Sequence, residues 1–288
     1  METERKMAVC PVCFRHCRIP EWSVGFCGGR TAEGGQTKAF NYGKITALAL
    51  DPIEKKPLAR FHPGSCILSV GSFGCNLRCP FCQNHDISWG AEAARYTEAA
   101  EEWSPEELVE AAERTRNRGN IGIAFTYNEP LIGYEFVRDT ARLAKDHGLV
   151  TVLVTNGTAE LPILRELAPY IDAMNIDLKG FTDRYYRKVL GGDRAQVMDF
   201  ITEAVKCAHV ELTTLIVPGE NDTEEEMREL ASWVAGLQNP EGESVPLHIS
   251  RFFPRFHMTD RGPTPVRTVY RLAQIAEEYL PYVYPGNV

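Results

Sequence analysis

Six short apolar segments alternate with segments of helical periodicity, and this alternation constrains the fold more than any other feature of the sequence. The apolar segments are residues 66–73, 121–127, 149–155, 171–178, 210–217 and 247–253. Strands that alternate with helices form right-handed βαβ units, and the strands of such units lie parallel. The pattern therefore predicts an α/β fold with a parallel sheet, either an open doubly wound sheet or an incomplete barrel. In both architectures, ligands bind at the carboxyl ends of the strands.

Capping residues mark the beginnings of helices between these segments. Ser104 is followed by Pro105 and Glu107, which is the pattern of an N-cap residue, a proline at the first helical position and a capping box. Thr223 and Glu226 have the same capping-box spacing before a later run of helical periodicity. We therefore expect helices to begin directly after Ser104 and Thr223.

Composition and charge argue against several classes of protein. The chain has 288 residues, with 31 Lys and Arg against 39 Asp and Glu and a formal net charge of -8. This balance and the absence of a dedicated basic domain argue against a nucleic-acid partner. No apolar run reaches the ~18 residues of a membrane span, and the N-terminal residues lack the apolar core of a secretory signal. We therefore expect a cytoplasmic protein with no membrane partner.

Nine cysteines are the strongest chemical signal, and seven of them fall in two tight clusters. An odd number of clustered cysteines favours metal or cluster ligation over a disulfide framework. Cys75, Cys79 and Cys82, which we call the three-cysteine loop, follow the first predicted strand with the spacing Cys-x3-Cys-x2-Cys. A structural zinc site is the alternative, but it normally takes four ligands, and His85 lies awkwardly close to Cys82. In electron-transfer [4Fe–4S] cubes, four cysteines ligate all four irons. Three thiolates can therefore hold a [4Fe–4S] cube in which one iron has no protein ligand.

The spacing of the three-cysteine loop, with the aromatic Phe81 before its last cysteine, resembles the radical S-adenosylmethionine (radical SAM) superfamily. The resemblance implies a partial (β/α)6 TIM-like barrel and a [4Fe–4S] cluster whose open iron chelates the methionine part of SAM. It also implies that an electron from the cluster cleaves SAM to a 5′-deoxyadenosyl radical, which abstracts hydrogen from a substrate. Such chemistry needs a low-potential electron donor such as flavodoxin or ferredoxin. By the same resemblance, Phe81 contacts the adenine.

Two further motifs lie at the ends of the second and third predicted strands. Asn128 and Glu129 resemble the Gly-Gly-Glu-Pro element that receives the amino group of SAM, with Asn128 in place of a glycine. Thr155 and Asn156 belong to a Thr-Asn-Gly turn that resembles one near SAM in glycyl-radical-enzyme activases. The resemblance therefore implies that these four residues bind the cofactor. For Glu129, the alternative is a loop carboxylate beside the start of a helix.

The fourth and sixth predicted strands carry the remaining candidates for SAM binding. Asp177 and Lys179 resemble the Asp-x-Lys element of the activases, in which the lysine pairs with the SAM carboxylate. Asp177 then binds the ribose or holds Lys179, and the alternative is a structural ion pair. His248 and His257 flank the sixth strand, where the activases place a SAM-contacting histidine, and we keep His248 as a cofactor-binding candidate. Its alternative is a packed histidine.

The second cysteine cluster lies near the N-terminus. It consists of Cys10, Cys13, Cys17 and Cys27, which we call the N-terminal cysteine set. Four thiolates satisfy either a tetrahedral zinc ion or a second Fe–S cube, and spacing alone does not select the metal. The alternative is a set of buried thiols without a metal.

The resemblance extends over nearly the whole chain to the AmmeMemoRadiSam-system radical SAM enzymes, which are related to pyruvate-formate-lyase-activating enzyme. The motifs that carry it are residues 27–30, 42–44, 51–58, 74–88, 127–130, 177–179 and 248–254. It implies a cysteine-rich N-terminal extension with a short hairpin in residues 1–63 and a radical SAM partial barrel in residues 64–288. We place the hairpin at residues 37–50.

The resemblance implies an oxidoreductase that activates a protein substrate, with AMMECR1-like or Memo-like proteins as partners. The alternatives are modification of a small molecule or peptide and, outside the enzymes, a non-catalytic zinc-binding interaction module. The charged stretch at residues 51–57 is either a substrate or partner surface or a solvated turn.

Overall fold

The computed structural model describes residues 6–95, 100–240 and 242–288. The strands are β1 Met7–Val9, β2 Arg18–Pro20, β3 Arg30–Glu33, β4 Gln36–Ala39, β5 Lys44–Ile45, β6 Ala47–Pro52, β7 Cys66–Gly71, β8 Glu101–Glu102, β9 Asn120–Phe125, β10 Val150–Thr155, β11 Ala173–Asp177, β12 His209–Ile216, β13 Leu247–Arg251 and β14 Val283–Gly286. The helices are α1 His85–Ser88, α2 Pro105–Arg114, α3 Tyr134–Asp146, α4 Leu161–Leu167, α5 Arg194–Ala204, α6 Glu224–Val234 and α7 Val266–Glu277.

The central sheet has eight strands in the order β6-β7-β9-β10-β11-β12-β13-β14. All neighbours from β7 to β14 pair in parallel, and β6 pairs with β7 antiparallel. The six strands predicted from the apolar segments are confirmed, and so is the α/β fold class with a central parallel sheet of the partial TIM-like type. The seventh parallel strand, β14, was missed because Val283–Gly286 is short and contains a proline.

Residues along each strand alternate between two apolar layers. Leu68 and Ile123 belong to the layer that also contains the buried faces of the helices. Their neighbours Ile67 and Ala124 belong to a separate, smaller cluster on the other face of the sheet. This period-two alternation is what a sheet covered by helices on its outer side requires. The smaller cluster is therefore the inner face of the partial barrel.

A segment of the N-terminal extension fills part of this inner face. It begins with the short 3-10 turn Ile53–Lys55 and continues through the fully buried Leu58. The amides of Ala59 and Arg60 donate to the two carboxylate oxygens of Glu211 on β12, at 2.9 and 2.8 Å. Because Glu211 lies near the start of β12, the segment occupies the amino-terminal half of the inner face, which leaves the carboxyl ends free for a ligand.

The charged stretch at residues 51–57 is divided between surface and interior, since Glu54 and Lys55 are exposed whereas Asp51 and Lys56 are buried. Lys56 is 3% exposed and its Nζ lies 2.9 Å from Asp51 Oδ2. The hydroxyl of Tyr127 donates to the same oxygen at 2.7 Å, and Lys56 Nζ lies 4.7 Å from the centroid of the Tyr127 ring. Burial raises the pKa of Asp51, but its bonds to Lys56 and Tyr127 outweigh burial and hold that pKa well below its usual range. Asp51 and Lys56 therefore form an internal ion pair that joins β6 to the end of β9.

The predicted hairpin at residues 37–50 lies earlier in the chain. β3 pairs with β4 through a two-residue turn at Gly34 and Gly35, whose φ angles are 61° and 79°. A two-residue hairpin turn with positive φ at both positions favours glycine, and the sequence offers the pair there. β5 pairs with β8 and β6 pairs with β7, so residues 37–50 contribute to three different sheets.

The two predicted capping boxes have different outcomes. The one at Ser104 is complete, since the Ser104 hydroxyl accepts from the Glu107 amide and the Glu107 carboxylate accepts from the Ser104 amide. At Thr223 only the first half forms, because the Glu226 carboxylate accepts instead from the Phe181 amide at 2.6 Å. The tertiary contact between Glu226 and Phe181 therefore replaces the local hydrogen bond from the Thr223 amide to Glu226. Within the described ranges, every helix is too short or too polar to serve as a membrane span.

Candidate active site

The three-cysteine loop lies at the carboxyl end of β7, on the rim of a cavity of about 480 Å³. Cys75, Cys79 and Cys82 are all free thiols that line this cavity, together with residues from the ends of β9 to β13. The loop begins at Gly74, whose φ is 94° and where a Cβ atom would lie 2.6 Å from the Cys27 carbonyl oxygen. Only glycine fits this close approach. The backbone at Gly74 therefore fixes the position of Cys75, the first cysteine of the loop.

The three thiols lie in an environment that favours their binding to a metal cation. Burial raises the pKa of Cys75 well above its usual value, raises that of Cys79 to about 11 and raises that of Cys82. Thiol ligands bind as thiolates, so a positively charged group must compensate their burial. Amide hydrogen bonds to sulfur are already in place, since the Leu77 amide donates to Cys75 Sγ at 3.4 Å. The donor set thus fits an iron cluster that is held by three thiolates.

Glu129 provides a buried carboxylate that lines the same cavity close to Cys75. It is 3% exposed and accepts hydrogen bonds from the Leu131 amide at 3.0 Å, the Thr155 hydroxyl at 2.7 Å and the Asn156 amide at 2.8 Å. Burial raises its pKa to about 7, although these three bonds favour the charged form. A cationic ligand beside Glu129 would replace the lost solvation. The carboxylate is therefore oriented for an ammonium group.

Asn156 connects Glu129 to the three-cysteine loop. Its side-chain amide donates to Asn76 Oδ1 at 2.9 Å and lies 3.7 Å from Cys75 Sγ. Its carbonyl oxygen accepts from the Thr158 hydroxyl at 2.6 Å, which fixes the orientation of the amide. Thr155 and Asn156 therefore order both the carboxylate and a thiol, and their contact with SAM stays a prediction.

Asp177 and Lys179 form an ion pair at the cavity wall. Lys179 Nζ lies 2.8 Å from Asp177 Oδ2, and both side chains line the cavity. Burial lowers the pKa of Lys179, but the charges of Asp177 and Cys79 outweigh it and hold that pKa well above its usual value. Lys179 is thus a permanent cation, which gives the cavity one anionic and one cationic anchor.

The comparisons with known proteins agree with this geometry. Residues 69–234, more than half of the chain, match the family model described as the radical SAM superfamily. This protein belongs to the radical SAM superfamily. Membership implies a [4Fe–4S] cluster and SAM as cofactors, and the Cys-x3-Cys-x2-Cys loop lies within the matched residues.

Two relatives show where the radical SAM protein lies within its family. An uncharacterized protein of Methanocaldococcus jannaschii is 42% identical over 282 residues, which cover 97% of this chain and 81% of that protein. The pyruvate formate-lyase 1-activating enzyme of Escherichia coli is 29% identical over 182 residues, which cover 61% of this chain and 71% of that enzyme. The radical SAM protein is therefore related to the glycyl radical activases.

Solved structures support the fold. SuiB of Streptococcus suis bound to S-adenosylmethionine aligns with a TM-score of 0.56 at 11% identity, over 74% of this chain and 48% of that chain. HydG, a maturase of the [FeFe]-hydrogenase, aligns with a TM-score of 0.55 at 13% identity, over 73% of this chain and 49% of that chain. The radical SAM protein thus spans about half the length of these two chains.

Phe81 and Asn128 also line the cavity of the radical SAM protein, in different ways. Phe81 packs edge to face against Phe252, with ring centroids 6.1 Å apart. The side chain of Asn128 is engaged with the backbone, since it accepts from the Ser72 amide at 3.0 Å and donates to the Gly74 carbonyl at 3.1 Å. Asn128 therefore fastens the end of β9 to the start of the three-cysteine loop.

His248 does not lie with the other predicted cofactor ligands of the radical SAM site. Its Nε2 lies 2.7 Å from Glu211 Oε2, and its ring stacks on Tyr284 at 5.2 Å. Burial raises the pKa of Glu211, but bonds from His209, His248 and two backbone amides hold that pKa at about 2. His248 lies early on β13, in the inner layer that the N-terminal segment covers and outside the residues that line the cavity, so its contact with SAM stays a prediction. The packed alternative describes its placement.

Several residues that line the radical SAM cavity were missed by the sequence analysis. They are Thr213 and Leu215 on β12, Ser250 and Arg251 on β13, and Phe253, Arg255 and Asn287 beyond the strands. The period-two alternation of β13 could have pointed to Ser250, two residues after His248 on the same face. Asn287 had no signal, because it follows the unpredicted strand β14.

Proposed function

We propose that this radical SAM protein holds a [4Fe–4S] cluster through Cys75, Cys79 and Cys82 and binds SAM beside it. When bound, the cluster and SAM together supply a one-electron cleavage that yields a 5′-deoxyadenosyl radical for hydrogen abstraction. The observation that carries the proposal is the set of groups around the cavity, namely three clustered thiols with the buried carboxylate of Glu129 and the partly buried ammonium of Lys179, which is paired with Asp177. The methionine part of SAM carries one ammonium and one carboxylate, which complement these two groups.

Each anchor has a distinct task in this proposal. Glu129 accepts the ammonium of SAM, because its oxygens are already oriented by three donors. Lys179 pairs with the SAM carboxylate, and Asp177 positions Lys179 through their 2.8 Å contact. Phe81, on the cavity wall beside Phe252, contacts the adenine and excludes water. Thr155 and Asn156 hold the carboxylate in place.

The substrate we propose is a protein, so the chain acts as an activating enzyme of the AmmeMemoRadiSam type. The relationship to a pyruvate formate-lyase 1-activating enzyme supports this, since that name states action on another enzyme. The shape of the sheet also supports it, because β6 and β14 are terminal strands with no further partner among the described strands. An open side admits a large substrate. AMMECR1-like and Memo-like proteins are the partners to examine first, with flavodoxin or ferredoxin as the reductant.

The chemistry is tested by anaerobic reconstitution with iron and sulfide, followed by SAM and dithionite. We expect 5′-deoxyadenosine to form, and to fall to the protein-free background in Cys79→Ala. The matched control is Cys207→Ala, which removes an exposed cysteine outside both clusters and should retain the product. A colourless reconstituted protein, or equal product from Cys79→Ala and the control, would overturn the proposal.

The substrate is tested by isotope transfer. The reduced enzyme is incubated with a perdeuterated AMMECR1-like or Memo-like protein, and the 5′-deoxyadenosine is analysed for deuterium. Transfer from the protein supports an activating enzyme. Transfer only from a deuterated small-molecule or peptide extract would instead assign the enzyme to small-substrate modification.

A further inference from the structure

Two tight turns position the four cysteines of the N-terminal cysteine set. Strands β1 and β2 pair with Val9 opposite Arg18, and the next pair is joined by a hydrogen bond from the Cys10 amide to the Cys17 carbonyl at 2.9 Å. These two cysteines therefore flank the mouth of the hairpin, with Cys13 in its loop. Cys27 lies in a second turn that is closed by the Gly28 amide and the Gly25 carbonyl at 3.0 Å.

Amide hydrogen bonds to sulfur offset part of the effect of burial in this set. Cys13 accepts from the Arg15 amide and from the Asn76 side chain, and Cys27 accepts from the Gly29 amide. In both cases the donor is the amide two residues after the cysteine. The three-cysteine loop repeats this arrangement, with donors that follow Cys75 and Cys82 by two residues. Burial raises the pKa of Cys13 and raises that of Cys27 to about 11, and these bonds offset it only in part. Metals bind the thiolate form, so a bound cation would supply the remaining stabilisation.

The space between the four thiols suits one ion. All four cysteines line one small, partly open cavity of about 10 Å³, whereas the three-cysteine loop borders about 480 Å³. A volume of about 10–15 Å³ holds one water-sized particle. With the thiols as placed, the cavity has room for about one such particle, which favours a single metal ion over a cube of four irons and four sulfides.

The charges around the N-terminal cysteine set balance a tetrathiolate site. Zinc with four thiolates leaves two net negative charges. Arg15 and Arg78 both stack on the Phe26 ring, with their guanidinium carbons 3.7 and 3.8 Å from its centroid. Arg15 interacts electrostatically with three cysteines of the set. His16 is not a fifth ligand, since its ring pairs with Glu160 at 3.2 Å and is half exposed.

We propose that the N-terminal cysteine set binds one structural zinc ion. Among the described residues, no three His, Cys, Asp or Glu side chains already stand at the mutual distances of ligands to one ion, so the thiols must turn inward as the ion binds. The same is true of the three-cysteine loop, whose cluster the family implies. The zinc ion locks the turn of Cys27, whose carbonyl accepts from the Cys75 amide at 3.0 Å. It thereby holds the start of the three-cysteine loop in place.

The test counts metal in a variant that lacks the other cysteine cluster. Cys75→Ala/Cys79→Ala/Cys82→Ala is purified without oxygen or added metal and analysed by mass spectrometry for metals and by colorimetry for sulfide. We expect about one zinc per chain and no acid-labile sulfide, as for a closed tetrathiolate site. A folded variant without zinc, or one with iron and sulfide, would overturn the proposal. This readout does not depend on SAM cleavage.

Two further variants assign the ligands within that background. Adding Cys13→Ala/Cys27→Ala should remove the zinc, whereas adding Cys66→Ala/Cys207→Ala should retain it. If the first of these does not fold, cobalt(II) is titrated into the metal-free form of the triple variant. The visible bands of tetrahedral cobalt with sulfur-to-metal charge transfer are expected, and their absence contradicts the proposal.

Discussion

The two cysteine sets of this protein share one local hydrogen-bond pattern but differ in what they can bind. In both, buried sulfurs accept hydrogen bonds from amides two residues later. They differ in the number of thiols and in the space beside them, since three thiols border about 480 Å³ and four thiols border about 10 Å³. A missing ligand beside a large cavity leaves a place for a second molecule, whereas four ligands around a small void leave none. The comparison therefore separates a site built for chemistry from one built for structure.

The two sets are also joined. The Cys75 amide donates to the Cys27 carbonyl at 3.0 Å, and Arg15 Nε donates to the Asn76 carbonyl at 2.7 Å. Asn76 in turn contacts Cys13 through its side chain. A change at the closed set can therefore reach the open one through short contacts, and the predictions below ask how far it does.

The largest expected effect separates the sets by chemistry. Cys79→Ala should reduce 5′-deoxyadenosine formation by more than about 1,000-fold, because a cluster that loses one of three ligands is not held for SAM. Cys17→Ala, in the closed set, should retain most of the product. The rate is measured by chromatography under dithionite at saturating SAM. Equal losses in the two variants would show that both sets serve the chemistry.

The next effect separates them by stability. Removing zinc from the N-terminal cysteine set with a chelator should lower the free energy of unfolding by about 3–4 kcal/mol, the stabilisation by a ligand at 100 to 1,000 times its Kd. Removing the cluster from the three-cysteine loop should have a smaller effect, because that loop borders an open cavity. Urea unfolding of the triple alanine variant, with and without chelator, measures the first value. A chelator-independent midpoint would break the distinction.

A third effect concerns the binding of SAM at the open set. Glu129→Gln should weaken SAM binding by about 10- to 100-fold while the iron content stays unchanged, since a charge-assisted hydrogen bond contributes about 1.5–3 kcal/mol. Equilibrium dialysis of the reconstituted protein measures the Kd. The exposed Glu110→Gln on α2 is the matched control. An unchanged Kd would remove Glu129 from the binding site.

The same carboxylate predicts the pH dependence of SAM binding. Burial raises the pKa of Glu129 to about 7, so the group loses its charge as the pH falls below that value. The charged form binds an ammonium better, so the affinity should decrease from pH 8 to pH 6, about one unit on either side of the pKa. Glu129→Gln should flatten this dependence. The opposite slope would mean that the neutral acid is the form that binds.

The sequence predicted what depends on local pattern and missed what depends on tertiary register. The thiols and Glu129 follow strands whose apolar runs are long, so their placement at the carboxyl ends could be foreseen. His248 lies outside the cavity lining because a two-residue difference along β13 separates the cavity at Ser250 from the interior. The burial of Lys56 was missed because its pairing with Asp51 on β6 depends on the tertiary structure. Strand β14 was missed because four residues carry little periodicity.

The smallest effect tests whether the two sets are coupled at all. Arg15 donates to the carbonyls of Asn76 and Gly191, and its guanidinium stacks on Phe26. Arg15→Ala should lower the free energy of unfolding by about 1–2 kcal/mol, the value of a charge-assisted hydrogen bond discounted for partial exposure. The exposed Arg18→Ala on β2 is the control and should change it by less than about 0.5 kcal/mol. If Arg15→Ala loosens zinc and slows SAM cleavage together, the joining contacts transmit structure from the closed set to the open one. If it behaves like Arg18→Ala in urea unfolding, the two sets are neighbours without coupling.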